Sequence, residues 1–175
     1  MSSLIISGCT NLESASTKHP NDACKILMQN KDWFKASKRV ANKWGAPISV
    51  QLSVIRHEST FNPDAAAKTS TAYGYAQALN GTFGEYKKET NNSTALRSSY
   101  YDSVDFIGWY FSKSTSALKH SAYDAETFYL AYHDGIGGFK KGTYKKKDWL
   151  VKKAKKVQEL SNTYRLQINK CKLQK

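Results

Sequence analysis

The pair His57-Glu58 is the first place in this sequence where two side chains with useful chemistry stand together. A zinc-protease motif of the HExxH type would need a second histidine four residues after the first, because two imidazoles one helical turn apart can bind one metal ion. Phe61 stands at that position. The sequence therefore excludes this zinc motif, and Glu58 needs another explanation.

The helix that should position Glu58 begins at Pro47, because proline is favoured in a first helical turn, and it ends before Pro63. Glu58 lies three residues beyond Ile55 and continues the apolar stripe of this helix. Burial and the helix C-terminus both disfavour a negative charge and raise the pKa of the carboxyl group, as a general acid near neutral pH requires. The alternative is a structural acid that a nearby cation neutralises.

Four short motifs follow one another from Glu58 onwards. They are Glu58-Ser59, Phe61-Asn62-Pro63, Ala72-Tyr73-Gly74-Tyr75-Ala76-Gln77 and Ala131-Tyr132-His133-Asp134-Gly135. In type and order they resemble the motifs of the lytic transglycosylase family, which are lysozyme-like enzymes that cleave peptidoglycan. The sequence departs from the family pattern at Tyr75-Ala76, where the family has Leu-Met, and at His133, where it has Asn.

The resemblance implies a mainly α fold, a lysozyme-like bilobed helical domain with a saccharide groove and at most a small irregular or β segment between residues 61 and 81. It implies peptidoglycan glycan strands as the substrate, with no cofactor and no metal ion. Glu58 would act as the single catalytic acid and base, whereas most glycosidases need two carboxylates. It would protonate the glycosidic oxygen and then accept a proton from the primary hydroxyl of the muramic acid, which closes a 1,6-anhydro ring.

The resemblance also implies a set of substrate-binding residues. These are Ser59, Tyr73, Tyr75, Gln77, Tyr132 and His133. The Tyr132 hydroxyl would donate to Glu58 or to the N-acetyl group of the substrate. Two alternatives stay open: a true lysozyme, for which Asp134 could hold the attacking water, and a non-catalytic module that binds glycan or an envelope partner.

Apolar periodicity predicts helices through most of the chain. Asn30 and Asp124 are predicted N-caps, and Gly45 is predicted to end the first of these helices. A capping box formed by Thr82 and Glu85 predicts a short helix that starts there. A long helix is expected around residues 104–111.

The chain carries 27 Lys and Arg against 14 Asp and Glu, a formal charge of +13, which favours polyanionic partners. Nucleic acid, an anionic membrane and an acidic wall polymer all satisfy that charge, but no nucleic-acid-binding motif is present, so we expect no nucleic-acid partner. Residues 148–168 predict an amphipathic helix with a solvated basic face. Its outward residues are Lys152, Lys153, Lys155 and Lys156.

The segment Leu4-Ile5-Ile6-Ser7-Gly8-Cys9 resembles the lipobox of bacterial lipoproteins, in which a lipid is attached to the cysteine. Eight residues are too few for the basic start and apolar core of a signal peptide, so we interpret this start as truncated. Residues 1–22 would then be a truncated lipoprotein signal and polar tether, and residues 23–175 the lysozyme-like transglycosylase domain.

If Cys9 is lipidated, Cys24 and Cys171 remain as an even pair and predict a disulfide; two free thiols are the alternative. The expected location is the periplasm or cell envelope, as an outer-membrane lipoprotein held at the membrane by its lipid anchor. The sequence leaves any partner in an envelope machine unspecified.

Overall fold

A computed structural model describes residues 16–171 of the chain. Within that range the backbone forms eight α-helices, one 3₁₀ turn and two isolated β-bridges, which join Ala66 to Tyr73 and Tyr73 to Ala78. The mainly α class and the small β-like segment between residues 61 and 81 are therefore confirmed. The elements in chain order are α1 (Ala23–Gln29), α2 (Lys31–Trp44), α3 (Ile48–Glu58), α4 (Asn80–Glu89), α5 (Tyr100–Leu118), α6 (Ala125–Asp134), α7 (Ile136–Lys141), the 3₁₀ turn (Thr143–Lys146) and α8 (Asp148–Lys170).

Most of the predicted helix ends are confirmed by their capping geometry. The Asn30 side chain accepts from the backbone N–H of Asp32 at 3.0 Å, and Asp124 accepts from that of Thr127 at 2.9 Å. Gly45 ends α2 with φ of 72°, a left-handed conformation that favours glycine because other residues meet a steric penalty there.

Helix α4 corrects one prediction. It begins at Asn80, so Thr82 and Glu85 lie inside the helix and the predicted capping box is wrong. Phe83 and Tyr86 are buried, and their packing outweighs the local capping signal. Helices α1 and α7 span 7 and 6 residues, which is too short for apolar periodicity to indicate them.

Helix α3 lies at the centre of the fold. Every residue from Ser49 to Ile55 is buried, and α8 packs against both α3 and α6, while α2 packs against α5. Only the C-terminal turn of α3 lies outside the core. Glu58, in that turn, therefore lies at the edge of the junction between α3, α6 and α8.

The first described residues are fixed against the last helix. Cys24 and Cys171 form a disulfide, as predicted, and the Ala23 backbone N–H donates to the Gln167 side chain at 2.8 Å. In the segment predicted as a tether, the Pro20 carbonyl accepts from the Tyr164 hydroxyl. The predicted lipid attachment at Cys9 lies outside the described residues. None of the helices between residues 16 and 171 combines the length and apolar character needed to cross a bilayer.

Candidate active site

Glu58 is the last residue of α3 and precedes an unusual turn. Thr60 and Phe61 follow with φ of 52° and 61°, both left-handed. A positive φ is unfavourable for a β-branched residue such as threonine and persists only where the surroundings enforce it. The buried Phe61 ring, stacked on Trp33 at 5.9 Å, supplies that constraint. The turn therefore ends α3 directly after Glu58.

Glu58 is half-buried and has one close partner in the described structure. The Tyr129 hydroxyl donates to its Oε1 at 2.6 Å. Burial raises the pKa of Glu58, whereas the Tyr129 hydrogen bond and the positive charge of Lys153 lower it. Burial is the largest of these influences, so the pKa is raised overall, in the direction that the sequence predicted. The carboxyl group therefore keeps its proton to a higher pH than an exposed glutamate does.

Tyr129 is a site residue that the sequence analysis missed. The family resemblance implies that the Tyr132 hydroxyl donates to Glu58 or to the N-acetyl group of the substrate, but this hydroxyl donates to the Ala76 carbonyl oxygen at 2.6 Å. The contact with Glu58 is therefore wrong, and the contact with the N-acetyl group is untested. The two tyrosines lie three residues apart on one face of α6. Together they connect Glu58 to the segment that precedes Gln77, so Tyr132 still lies close to the acid, and its place in substrate binding stays a prediction.

The segment 72–77 is held in a single conformation by its own contacts. The Gln77 side-chain amide donates to the carbonyl oxygens of Ala65 at 2.7 Å and Gly74 at 3.0 Å, and Gln77 itself has φ of 47°. At Gly74, with φ of 77°, an added Cβ would lie 1.9 Å from the Arg97 carbonyl oxygen, so only glycine fits. A rigid segment of this kind is what a site needs to present a fixed surface to its ligand.

The two tyrosines of this segment have different environments. The Tyr73 hydroxyl donates to Asp64 at 3.0 Å, and the Arg97 guanidinium lies 5.3 Å from its ring centre. Tyr75 is only 2% exposed, with its ring edge-on to Trp33 and Tyr100. Tyr75 is therefore packed in the core, whereas the family resemblance implies a substrate-binding residue at this position.

Ser59, the first residue after α3, lies beside the acid. Its hydroxyl donates to the Ile55 carbonyl oxygen at 3.3 Å, so it caps the end of the helix.

The end of α6 holds the other two residues that the family motif singled out. His133 is exposed, and its ring meets Trp149 edge-to-face at 4.9 Å. Burial of its inner part and the charges of Lys153 and Lys147 lower the pKa of His133. Asp134 forms an ion pair with Lys147 and accepts a hydrogen bond from Thr143, and both contacts lower its pKa. Asp134 is thus engaged in structural contacts.

Lys153 corrects the predicted basic face of α8. Lys152, Lys155 and Lys156 are exposed as expected, but Lys153 is half-buried, with Nζ 5.7 Å from the centre of the Tyr129 ring. Its charge reaches Glu58, His57 and His133 and lowers the pKa of each. His57 is half-buried beside it, so burial and this lysine both favour the neutral imidazole.

Between residues 16 and 171, no three or more His, Cys, Asp or Glu side chains are grouped so that they could hold a metal ion. What the arrangement offers is a carboxyl group of raised pKa, a hydroxyl that stabilises its ionised form, and a nearby cation. These groups suit proton transfer to and from an uncharged substrate.

A family model of the transglycosylase SLT domain matches residues 1–171. The chain therefore belongs to the transglycosylase SLT domain family, and its helical fold is of the lysozyme-like class that this domain defines. No curated protein sequence matches the chain significantly. Family membership supports a glycan-cleaving function of the lytic transglycosylase type, with peptidoglycan glycan strands as the substrate.

Proposed function

We propose that this protein is a peptidoglycan lytic transglycosylase that uses Glu58 as its single general acid and base. The observation that supports this most directly is the state of the Glu58 carboxyl group: it is half-buried, its pKa is raised, and it accepts a hydrogen bond from the Tyr129 hydroxyl at 2.6 Å. An acid that must first give and later recover one proton needs both of these properties.

The first step is cleavage of the bond between N-acetylmuramic acid and N-acetylglucosamine. Protonated Glu58 donates its proton to the glycosidic oxygen, the bond from that oxygen to C1 of the muramic acid breaks, and C1 gains positive charge. The Tyr129 hydrogen bond stabilises the glutamate anion that this step creates.

The second step restores the acid. The Glu58 carboxylate accepts the proton of the muramic acid's C6 hydroxyl as that oxygen bonds to C1, which closes the 1,6-anhydro ring. The proton taken up equals the proton given, so no water is consumed and a second catalytic carboxylate is unnecessary. In agreement with this, Asp134 is engaged by Lys147 and Asp64 accepts from Tyr73.

The remaining expectations concern where the protein acts. The disulfide between Cys24 and Cys171 supports an oxidising compartment, and the substrate supports the periplasm or cell envelope. Attachment to the outer membrane through a lipid on Cys9 remains a prediction, as do the glycan contacts of Ser59, Tyr73, Gln77 and His133 in a saccharide groove.

The test is a digestion of purified sacculi followed by mass spectrometry of the released muropeptides. We expect anhydro products, each one water lighter than the product of hydrolysis. Reducing ends in their place would identify a lysozyme and overturn the transglycosylase mechanism. Sedimentation with the sacculi and no released products would identify a non-catalytic glycan-binding module.

A further inference from the structure

Helices α6 and α8 pack side by side next to Glu58, and we call the line of contacts between them the seam. Its first contact joins Tyr129 to Lys153, and its second joins His133 to Trp149. His133 follows Tyr129 by four residues in α6, whereas Trp149 precedes Lys153 by four residues in α8, so the two helices run antiparallel. Glu58 joins the first contact through the Tyr129 hydroxyl. The seam therefore extends from the acid towards the surface.

Two side chains of α8 on this seam are available to a ligand. Trp149 is 54% exposed, whereas Trp33 and Trp109 are buried. Lys153 makes no ion pair with a carboxylate among residues 16–171, whereas the nearby Lys147 is paired with Asp134. Trp149 is thus a large exposed ring, and Lys153 is a half-buried cation with no carboxylate partner in the described part of the chain, so both can contact a ligand.

The spacing of this pair fits one sugar unit. Residues four apart lie on the same face of a helix and are separated along its axis by about 6 Å. An indole ring can stack on the apolar face of a pyranose, and an ammonium group forms a charge-assisted hydrogen bond with a carboxylate. The two groups at this separation match a sugar that carries an acidic substituent.

We propose that Trp149 and Lys153 form an acid-sugar subsite beside Glu58, in which the indole stacks on the sugar and the ammonium pairs with a carboxylate attached to it. This inference rests on the proposed function, because it assigns the subsite to the same glycan strand. The carboxylate has two sources in peptidoglycan: the lactyl group of a strand without peptides, and the peptide stem itself.

Binding at this subsite also has a consequence for the acid. Lys153 lowers the pKa of Glu58 in the free protein. A carboxylate that pairs with Lys153 offsets this positive charge, so the bound substrate favours the protonated form of Glu58 that the first step needs. The other ionisable groups at this corner are His57 and His133 and the charged residues that act on them, which are Arg56, Asp134, Lys147 and Lys156.

The experiment compares Lys153→Gln with Lys152→Gln on matched glycan strands. Lys152 is the neighbouring exposed lysine, so its variant removes the same net charge outside the subsite. Each protein is assayed on strands freed of peptide stems, on stem-bearing strands, and on both after carbodiimide amidation of their carboxylates. The wild type should show a KM about tenfold lower for at least one acidic strand than for its amidated form, the size of one charge-assisted contact.

In Lys153→Gln the ratio of the KM for amidated strands to the KM for acidic strands should fall to about one. In Lys152→Gln this ratio should stay near its wild-type value. Preference for stem-free strands identifies the lactyl carboxylate, and preference for stem-bearing strands identifies the peptide. An unchanged ratio in Lys153→Gln would overturn the proposal. So would an equal loss of kcat on acidic and amidated strands with a displaced pH profile, because Lys153 would then act only on Glu58.

Trp149 has its own comparison. Trp149→Ala should raise KM for both acidic and amidated strands, because stacking does not depend on the carboxylate, and Trp149→Phe should recover most of the loss. Equal behaviour of the two variants would remove Trp149 from the subsite. If the wild type releases no anhydro product, the proposed function fails. Equilibrium binding of the same strands still tests the subsite, because this measurement does not require turnover. Lys153→Gln should then lose the preference of the wild type for acidic over amidated strands.

Discussion

Asp105 and Glu58 both lie on the inward-facing sides of their helices, but the hydrogen-bond partners of the two carboxyl groups differ. Asp105, in the middle of α5, is 4% exposed and accepts from Trp44 Nε1 at 2.8 Å, the Tyr86 hydroxyl at 2.9 Å and Lys43 Nζ at 3.2 Å. Glu58, at the end of α3, has the Tyr129 hydroxyl as its close partner. One acid is saturated with donors, while the other retains acceptor capacity.

The difference separates a structural acid from the acid to which we assign a catalytic role. A carboxylate that accepts from three donors is tied into the core and has little acceptor capacity left for a ligand. A carboxyl group with one donor and a burial-raised pKa can exchange a proton with a ligand at small cost. The backbone agrees with this contrast, because Asp105 lies in regular helix and Glu58 precedes the left-handed pair Thr60 and Phe61.

The largest expected effect is on activity at Glu58. Glu58→Gln keeps the size of the side chain but cannot donate the proton, so release of anhydromuropeptides should fall by about a thousandfold or more. The fold should persist, because the amide oxygen can still accept from Tyr129. Rates on sacculi, together with a thermal melt, check both statements. Full activity in this variant would end the assignment of Glu58.

The opposite result is expected at Asp105. Asp105→Ala leaves the Trp44, Tyr86 and Lys43 donors without their acceptor and should lower the free energy of unfolding by about 3 kcal/mol. Lys43→Ala is the matched control and should cost less than about 1 kcal/mol, because that lysine is 46% exposed. Urea denaturation measures both. An Asp105 variant of unchanged stability would contradict the comparison.

Smaller effects distinguish the two tyrosines of α6. Tyr129→Phe removes the donor that lowers the Glu58 pKa, so the alkaline limb of the kcat/KM profile should move to higher pH. It also removes the hydrogen bond that stabilises the glutamate anion formed in the first step, so the rate at neutral pH should fall about tenfold. Tyr132→Phe, whose hydroxyl donates to Ala76, should leave that limb in place. A displaced limb in Tyr132→Phe alone would reverse the two roles.

The smallest effect is on stability. Because the folded-state pKa of Glu58 is raised, the stabilisation it provides is fully present below its unfolded value of about 4.5 and is lost as pH rises through the folded value. Glu58→Gln, which cannot ionise, should therefore be the more stable protein at pH 8, and the difference should vanish near pH 4. Urea denaturation of both proteins between pH 4 and pH 8 measures the sign of the difference in their free energies of unfolding.

Local patterns predicted the elements better than the contacts between them. The caps at Asn30 and Asp124, the left-handed Gly45 and the helix that ends at Glu58 follow from properties of neighbouring residues, so the sequence was sufficient. The choice between Tyr129 and Tyr132 depends on how α6 lies against α3. No periodicity in one helix contains that information.

The burial of Lys153 is a second feature that the pattern of a single helix could not predict. This lysine lies three residues after the buried Leu150, at the border of the apolar stripe, and a pattern of one helix assigns such a residue to solvent. Helix α8 packs against both α3 and α6, so its buried face is wider than one neighbour would require. The second neighbour encloses Lys153 and leaves Lys152 outside.

The disulfide also has a consequence for protein engineering. The Cα atoms of Cys24 and Cys171 lie 5.7 Å apart although 147 residues separate them in the chain. Residues 24–171 therefore begin and end at neighbouring points, so this part of the chain can be inserted into a surface loop of another protein.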